Sequence, residues 1–483
     1  MSTTPLSPSD EDTHTRFRVL PVLAIALAAI AVGLAPLPLS FAAQRTLVVL
    51  VVAAGLWLTE AVPVAAAALT IPVLGVMLGV TDAKGAFAGF GDPIVFLFFG
   101  TFLLTEAAST HGMNTRLARA VLGSRWVSKQ PGRLLWAIAF IGCGLSAWMN
   151  NTATTALLLP LALTATRFAS PRLLTGILLM TAYAPSLGGL ATPVGTAPNL
   201  IGLRLLEQVT HSRPSFAQWC AVYAPLAVGF TLLTGLWLRW CAGRDASPPP
   251  LKDHLVDREV RAWTLAERIL LPLFVVVILL WITPGILAAT SQSGAPWLKL
   301  WQARLPEPAV PLLGGVLLFL LPAGTRDGAR ILDAGVFRRI DWNTILLFGG
   351  GLSLGAMMFE SGLARAMGEG LFALLPSHTL FGVVFAATLM AVLISELTSN
   401  TASAALVVPV VLALAQAAGM DPVKPALAAI VGCSFGFMLP VSTPPNALVF
   451  ATGHVPMRTM IARGLVLDLA GVTIVSVWVT LLG

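Results

Sequence analysis

The sequence predicts an all-α integral-membrane protein with about eleven transmembrane helices, two re-entrant hairpins and two inverted structural repeats. Three observations lead there: scarce charge, long unbroken apolar runs, and polar motifs that recur at a fixed offset. Of 483 residues, 57% are hydrophobic and 11% are charged, against roughly 25% charged in a soluble domain. The mean hydropathy is +0.85. So little charge cannot solvate a globular surface, which excludes a water-soluble enzyme and a disordered chain. The net charge of +7 is the difference of two small counts, 29 basic and 22 acidic residues, so no nucleic-acid partner is expected. An outer-membrane barrel would show alternating segments of about ten residues, whereas these runs are continuous and suit helices.

Taken in order, residues 1–18 read as a flexible polar tail containing Ser9-Asp10-Glu11-Asp12. The run Leu20–Leu39 follows Arg16 and Arg18 and reads as a retained first helix, because it is long for a signal peptide and further runs follow at once. The first half, 19–241, continues with Thr46–Thr59, Val62–Val80, Ile94–Ala108, Leu134–Ala165, Leu173–Leu206 and Gln218–Trp240. A polar segment at 242–267 connects it, on the cytoplasmic side, to the second half, 268–483. There the runs are Ile269–Trp281, Val310–Leu321, Ile345–Gly362, Leu380–Ala418, Ala426–Phe450 and Gly464–Leu482.

Two runs are too long for one span and carry polar interruptions. Asn150-Asn151-Thr152 breaks the run at 134–165, and Ser399-Asn400-Thr401 breaks the run at 380–418. Each has the length of a down-and-back hairpin. The runs at 173–206 and 426–450 contain Gly/Pro/Thr breaks and read as broken helices. With the N-terminus cytoplasmic and both hairpins re-entrant, 21 Lys and Arg fall on the cytoplasmic side and 8 outside. That bias obeys the positive-inside rule and puts the C-terminus outside. The inner (cytoplasmic) membrane of a bacterium is the expected location, with lipid as the surrounding partner.

The interruptions repeat. Leu145–Pro160 (LSAWMNNTATTALLLP) and Ile394–Pro409 (ISELTSNTASAALVVP) align at an offset of 249 with seven of sixteen positions identical. Ala191–Asn199 (ATPVGTAPN) and Met438–Asn446 (MLPVSTPPN) align at 247, and Phe99-Gly100 matches Phe348-Gly349 at 249. Three landmarks in one order imply duplication, and the counted topology makes the repeats inverted. Inverted repeats with paired interruptions point to a secondary transporter with its site at the midplane.

The chemistry of the motifs agrees. Each hairpin tip exposes backbone N–H groups at a helix N-terminus, where anions are favoured. Asn and Thr side chains add donors for carboxylates, and their oxygens suit a hard cation such as Na⁺. No Lys or Arg lies in the four motifs, and no basic residue is expected in the anion site. Helix dipoles and co-bound cations would balance the substrate's charge. Glu396 sits beside the second motif, but its repeat partner is Ala147, so a structural hydrogen-bonding role is expected over proton carriage. Glu106 and Glu360 are expected near span ends, Asp92 as a helix cap before Pro93, and His454 as a packing or interfacial residue. Ser293–Arg304, with Trp297 and Trp301, reads as an interfacial segment. Cys143, Cys220, Cys241 and Cys433 form no CxxC pair and read as packing residues. No His, Cys or Asp/Glu set supports an intramembrane enzyme.

The paired Asn-Thr motifs, together with GTAPN and with Met438–His454 (MLPVSTPPNALVFATGH), resemble the divalent anion/sodium symporter family, which includes dicarboxylate, citrate and sulfate transporters. The resemblance runs from about Leu20 to the end and is most specific at Ser395–Thr401 and Met438–His454. It implies a homodimer whose transport domain moves like an elevator against a scaffold domain. It also implies one sodium site at Ser146, Asn150, Asn151 and Gly195, and another at Ser395, Thr398, Asn400 and Ser442. The substrate would lie near Asn150, Asn151, Thr152, Ser399, Asn400, Thr401, Thr443 and Pro444. The chain departs from the family pattern at Asn150, where Ser is usual; Asn keeps an oxygen but is bulkier and adds a donor. The expected function is sodium-coupled symport of C4 dicarboxylates (succinate, fumarate or malate). The alternatives are sodium-independent exchange, or citrate or sulfate transport.

Overall fold

The computed structural model describes residues 19–122, 124–128, 133–166, 170–243, 262–292, 295–325, 328–375 and 377–483. The N-terminal tail at 1–18 and most of the connecting segment, 244–261, lie outside the described residues, as do Ser293 and Gly294 of the tryptophan-bearing segment. Among the described residues the regular structure is helical, and the strand-like contact is an isolated bridge between Pro322 and Arg330. Nine described helices are long and apolar enough to cross a membrane.

The helices start where the sequence supplies caps. Ser215 and Gln218 form a reciprocal capping box at Phe216–Ala242, and Thr264 and Glu267 do the same at Leu265–Leu287. Asp92 caps Pro93–Thr110, as expected: its Oδ1 accepts from the Ile94 N–H at 3.0 Å. Its Oδ2 also accepts from Arg204 Nε at 2.7 Å, which ties this helix to Ala197–Thr210. Arg116 forks onto Glu267, at 2.7 Å from Nε to Oε1 and 3.0 Å from Nη2 to Oε2, joining the two halves beside the connecting segment.

All four interrupted runs break where the sequence places polar residues. The run at 134–165 becomes Arg133–Ser146 and Asn151–Ala165. The run at 380–418 becomes Leu380–Leu397 and Asn400–Ala417. The other two become Pro171–Gly188 followed by Ala197–Thr210, and Val423–Gly432 followed by Pro444–Ala451. One expectation changes. The run Val310–Leu321 yields a helix of only 10 residues, Ala309–Leu318. At 1.5 Å per residue it is about 15 Å long, so the helix itself covers about half of the ~30 Å hydrocarbon core.

The halves interlock. Pro93–Thr110 packs on Ala309–Leu318 of the second half, and Trp342–Glu360 packs on Val64–Met77 of the first. Pro93 and Trp342 are 249 apart, the offset of the hairpin motifs. The repeated glycines sit at close approaches in this packing. A Cβ on Gly100 would lie 2.4 Å from Leu312 N, and one on Gly349 would lie 2.3 Å from the Phe90 ring. Pro171–Ala191, carrying the first break, is the most enclosed candidate span at 89% buried, whereas Leu265–Thr290 is 22% buried and presents its face outward.

Candidate functional site

Each hairpin tip is built the same way. In the first, Ser146 Oγ donates to Asn151 Oδ1 at 2.6 Å, and Asn150 Oδ1 accepts from the Thr152 N–H at 2.7 Å, capping Asn151–Ala165. In the second, Ser395 Oγ donates to Asn400 Oδ1 at 2.9 Å, and Ser399 caps Asn400–Ala417 through the Ala402 N–H. A short polar side chain at the cap is what lets the chain reverse and restart a helix within a few residues.

The breaks behind the tips match as well. Asn199 Nδ2 donates to the carbonyls of Gly189 and Thr192 at 3.0 and 2.9 Å. Asn446 Nδ2 donates to those of Gly436 and Leu439 at 2.8 and 3.0 Å. The three residue pairs, 199/446, 189/436 and 192/439, each differ by 247. The sequence flagged both asparagines but not this role: each staples an unwound segment whose carbonyls have lost their helical partners. Trp219 Nε1 donates to Leu190 O at 3.0 Å, and Tyr183 Oη donates to Phe437 O at 2.8 Å, so each break also has an aromatic brace. The side-chain oxygens of Asn199 and Asn446 are buried without a hydrogen-bond partner.

Oxygens cluster between each tip and its break. A Cβ on Gly189 would lie 2.8 Å from Asn151 Oδ1 and 3.1 Å from Gly195 O, so these two oxygens face one small space. In the second half Ser442 Oγ donates to Ser395 O at 3.0 Å, and a Cβ on Gly436 would lie 2.1 Å from Ser442 Oγ. Ser146, Asn151 and Gly195 therefore come together, as do Ser395, Asn400 and Ser442. Asn150 and Thr398 stand apart: the Asn150 oxygen faces Thr152, and the Thr398 hydroxyl donates to Trp57 O at 3.4 Å.

One cavity of about 690 Å³ is lined by Asn150, Asn151, Thr152, Ser399, Asn400, Thr401, Thr443 and Pro444. All eight residues expected around the substrate thus border one space. The N-termini of four helices, Asn151–Ala165, Ala197–Thr210, Asn400–Ala417 and Pro444–Ala451, open into it. Each brings the positive end of its dipole, and the first three also bring first-turn N–H groups; at the fourth, Pro444 and Pro445 have no N–H and the Asn446 N–H is taken by Thr443 Oγ1. The cavity therefore suits an anion.

Other elements also reach this space. Thr101, Thr105 and Glu106 come from Pro93–Thr110, and Arg339, Asp341 and Thr344 from the approach to Trp342–Glu360. Glu106 lies near the end of its span, as expected, and also lines the cavity. One expectation is corrected here: a basic residue, Arg339, does enter the cavity, where its Nε donates to Glu106 Oε1 at 2.5 Å. Neither carries a motif, because what brings them in is the packing of Pro93–Thr110 against the segment around 336–339.

Glu396 accepts from the Met438 and Leu439 N–H groups at 2.8 and 3.1 Å, the hydrogen-bonding role expected of it. Asp468, on Met457–Leu482, brings a second buried carboxyl beside Glu396, a pairing with no sequence signal. Glu360 ends its helix and is exposed, and His454 is exposed. Trp297 is about half exposed, while the Trp301 indole nitrogen is buried without a partner. All four cysteines are unpaired.

A helical membrane fold with broken helices around a polar cavity defines an integral-membrane transporter of a small molecule. The family described as sodium:sulfate symporter transmembrane region matches residues 15–483, and the chain belongs to that family. It is 29% identical over 439 residues to a sodium-dependent dicarboxylate transporter, SdcS, of Staphylococcus saprophyticus, covering 87% of this chain and 82% of that one. It is 31% identical over 447 residues to an uncharacterized transporter of Haemophilus influenzae, covering 91% and 92%. Among solved structures it resembles the YdaH transporter of Alcanivorax borkumensis, with a TM-score of 0.57 at 15% identity over 85% of this chain and 88% of that one. That likeness concerns the fold.

Proposed function

We propose that this protein is a sodium-coupled symporter of C4 dicarboxylates, and that Na⁺ is a co-transported ion. The observation that carries the reading is the convergence of four helix N-termini and two Asn-Thr tips on one cavity. Such a site binds carboxylates through N–H groups, hydroxyls and amides. Its charged lining residues are Glu106, Asp341 and Arg339, a formal balance of −1. A dianion added to that balance needs cations, and the two oxygen clusters beside the tips are where Na⁺ fits. In this reading Ser146, Asn151 and Gly195 hold one ion, with Asn150 at its edge. Ser395, Asn400 and Ser442 hold the other, with Thr398 nearby. Similarity to the staphylococcal sodium-dependent dicarboxylate transporter supports the same substrate class.

The matched tips and braces support two inverted repeats with re-entrant hairpins. Two turns that border one cavity lie at one depth, and turns at opposite membrane faces, ~30 Å apart, would not meet. We infer eleven spans, a cytoplasmic N-terminus, an outside C-terminus and placement in a bacterial inner membrane. A homodimeric elevator is the mechanism the family resemblance favours, and the outward face of Leu265–Thr290 is open to lipid or to a second copy.

Radiolabelled succinate uptake into proteoliposomes tests this reading. An inward sodium gradient is expected to raise uptake at least tenfold over a potassium-only control. Uptake that ignores sodium but rises with internal dicarboxylate would instead establish exchange. Absent succinate uptake beside robust sulfate or citrate uptake would move the substrate within the family.

A further inference from the structure

We propose that Arg339 is the carboxylate-capturing residue of the cavity, and that Glu106 is a built-in competitor which holds it until a substrate carboxylate displaces it. This rests on the reading of the cavity as an anion site and adds the residue that selects for full negative charge.

Arg339 and Glu106 both line the cavity that holds the two tips. The tips supply neutral donors and dipole ends, which attract an anion but do not by themselves require a carboxylate. Arg339 has five N–H donors in a planar fork that matches a carboxylate. Its Nε engages Glu106 Oε1, while among the described residues no hydrogen bond engages its two terminal nitrogens. Its side chain is 46% exposed, against 24% for Glu106. A guanidinium held at one corner, half open to a substrate cavity, is poised to accept a second carboxylate.

The pair is also poorly suited to a purely structural role. The two most enclosed arginine–carboxylate pairs are forked or shared. Arg116 meets both oxygens of Glu267, and Arg204 bridges Asp92 and Glu207. Arg339 does neither. A half-exposed ion pair contributes little to stability, so its exchange for a substrate carboxylate costs little. Asp341, the other acid in the lining, is already engaged at its helix start by the Thr344 N–H and hydroxyl, at 3.2 and 2.6 Å. It leaves Arg339 to Glu106.

A capture role and a structural role predict opposite signs for Glu106. If the pair only held the fold, breaking it from either side would impair transport alike. If Arg339 captures substrate, Glu106→Gln frees it, whereas Arg339→Gln removes it. Initial uptake rates are measured in proteoliposomes at saturating sodium against succinate concentration. Arg339→Gln is expected to raise KM tenfold or more, with the loss falling on KM more than on maximal rate. Glu106→Gln is expected to lower KM severalfold, and the double variant to behave like Arg339→Gln alone. Arg339→Lys, which keeps the charge without the fork, is expected to fall between, and it serves if Arg339→Gln fails to fold. A KM within twofold of wild type in Arg339→Gln would overturn the proposal. So would a rise in KM in Glu106→Gln matching that in Arg339→Gln. The wild-type substrate is established first; if it is sulfate or citrate, the same variants are assayed on that anion. Failure of the succinate reading is then separate from failure of Arg339.

Discussion

Asn151→Ala and Asn400→Ala are each expected to cut sodium-driven uptake by more than tenfold while leaving a folded protein. Each asparagine oxygen takes a serine hydroxyl, at 2.6 Å from Ser146 and 2.9 Å from Ser395. Each also starts the returning helix of its hairpin. Truncation removes the proposed cation ligand and an amide donor to the substrate together. A hydrogen bond to a charged group contributes about 1.5–3 kcal/mol, where 1.4 kcal/mol is about tenfold in affinity. Asn400 is only 8% exposed, but its removal leaves the cap at Ser399 and the helix behind it in place. Uptake in proteoliposomes, beside a size-exclusion profile of the purified variants, checks both halves of the expectation. Near-normal uptake by both variants would show that the tips do not form the site.

Gly436→Ala is expected to raise the sodium concentration for half-maximal uptake about tenfold or more, with far less change in the succinate KM at saturating sodium. The added methyl would sit 2.1 Å from Ser442 Oγ, 3.3 Å from Ser395 O and 3.4 Å from Ser395 Oγ, so the Ser442 hydroxyl must leave its bond to Ser395. Those oxygens belong to the proposed second ion site and not to the face that meets the anion. Gly189→Ala, 247 positions earlier, is expected to act likewise on the first ion site, because its methyl would lie 2.8 Å from Asn151 Oδ1. Sodium titrations of uptake read the effect. An unshifted sodium dependence in both variants would place the ions elsewhere.

Much of the architecture was legible because membranes impose it. Scarce charge and long apolar runs leave helices as the solution. A polar Asn-Thr pair inside such a run marks backbone that is not helical, so all four helix breaks appeared at positions the motifs named. The duplication then weighted Asn151 and Asn400 above any single intramembrane asparagine. Other features gave no such signal. Ala309–Leu318 is apolar enough to read as a span, yet the chain turns after its ten helical residues. Asp468 is an acid in a long final helix with no motif around it, and packing sets it beside Glu396.

The scarcity of charge is the feature whose meaning moved most. The motifs contain no basic residue, which is why helix dipoles and co-bound cations are the proposed means of holding an anion. It does not follow that the cavity lacks one. Arg339 is about 60 residues from the second tip in sequence and reaches the same space only because Pro93–Thr110 packs against the 336–339 segment. Local sequence determined where the helices break and which side chains cap them, since those are short-range hydrogen bonds between near neighbours. Which side chains share the cavity, and which charged pair lines it, depends on contacts between residues hundreds of positions apart. Only the tertiary structure decides those, because burial and distance, not residue type, set the strength of each interaction.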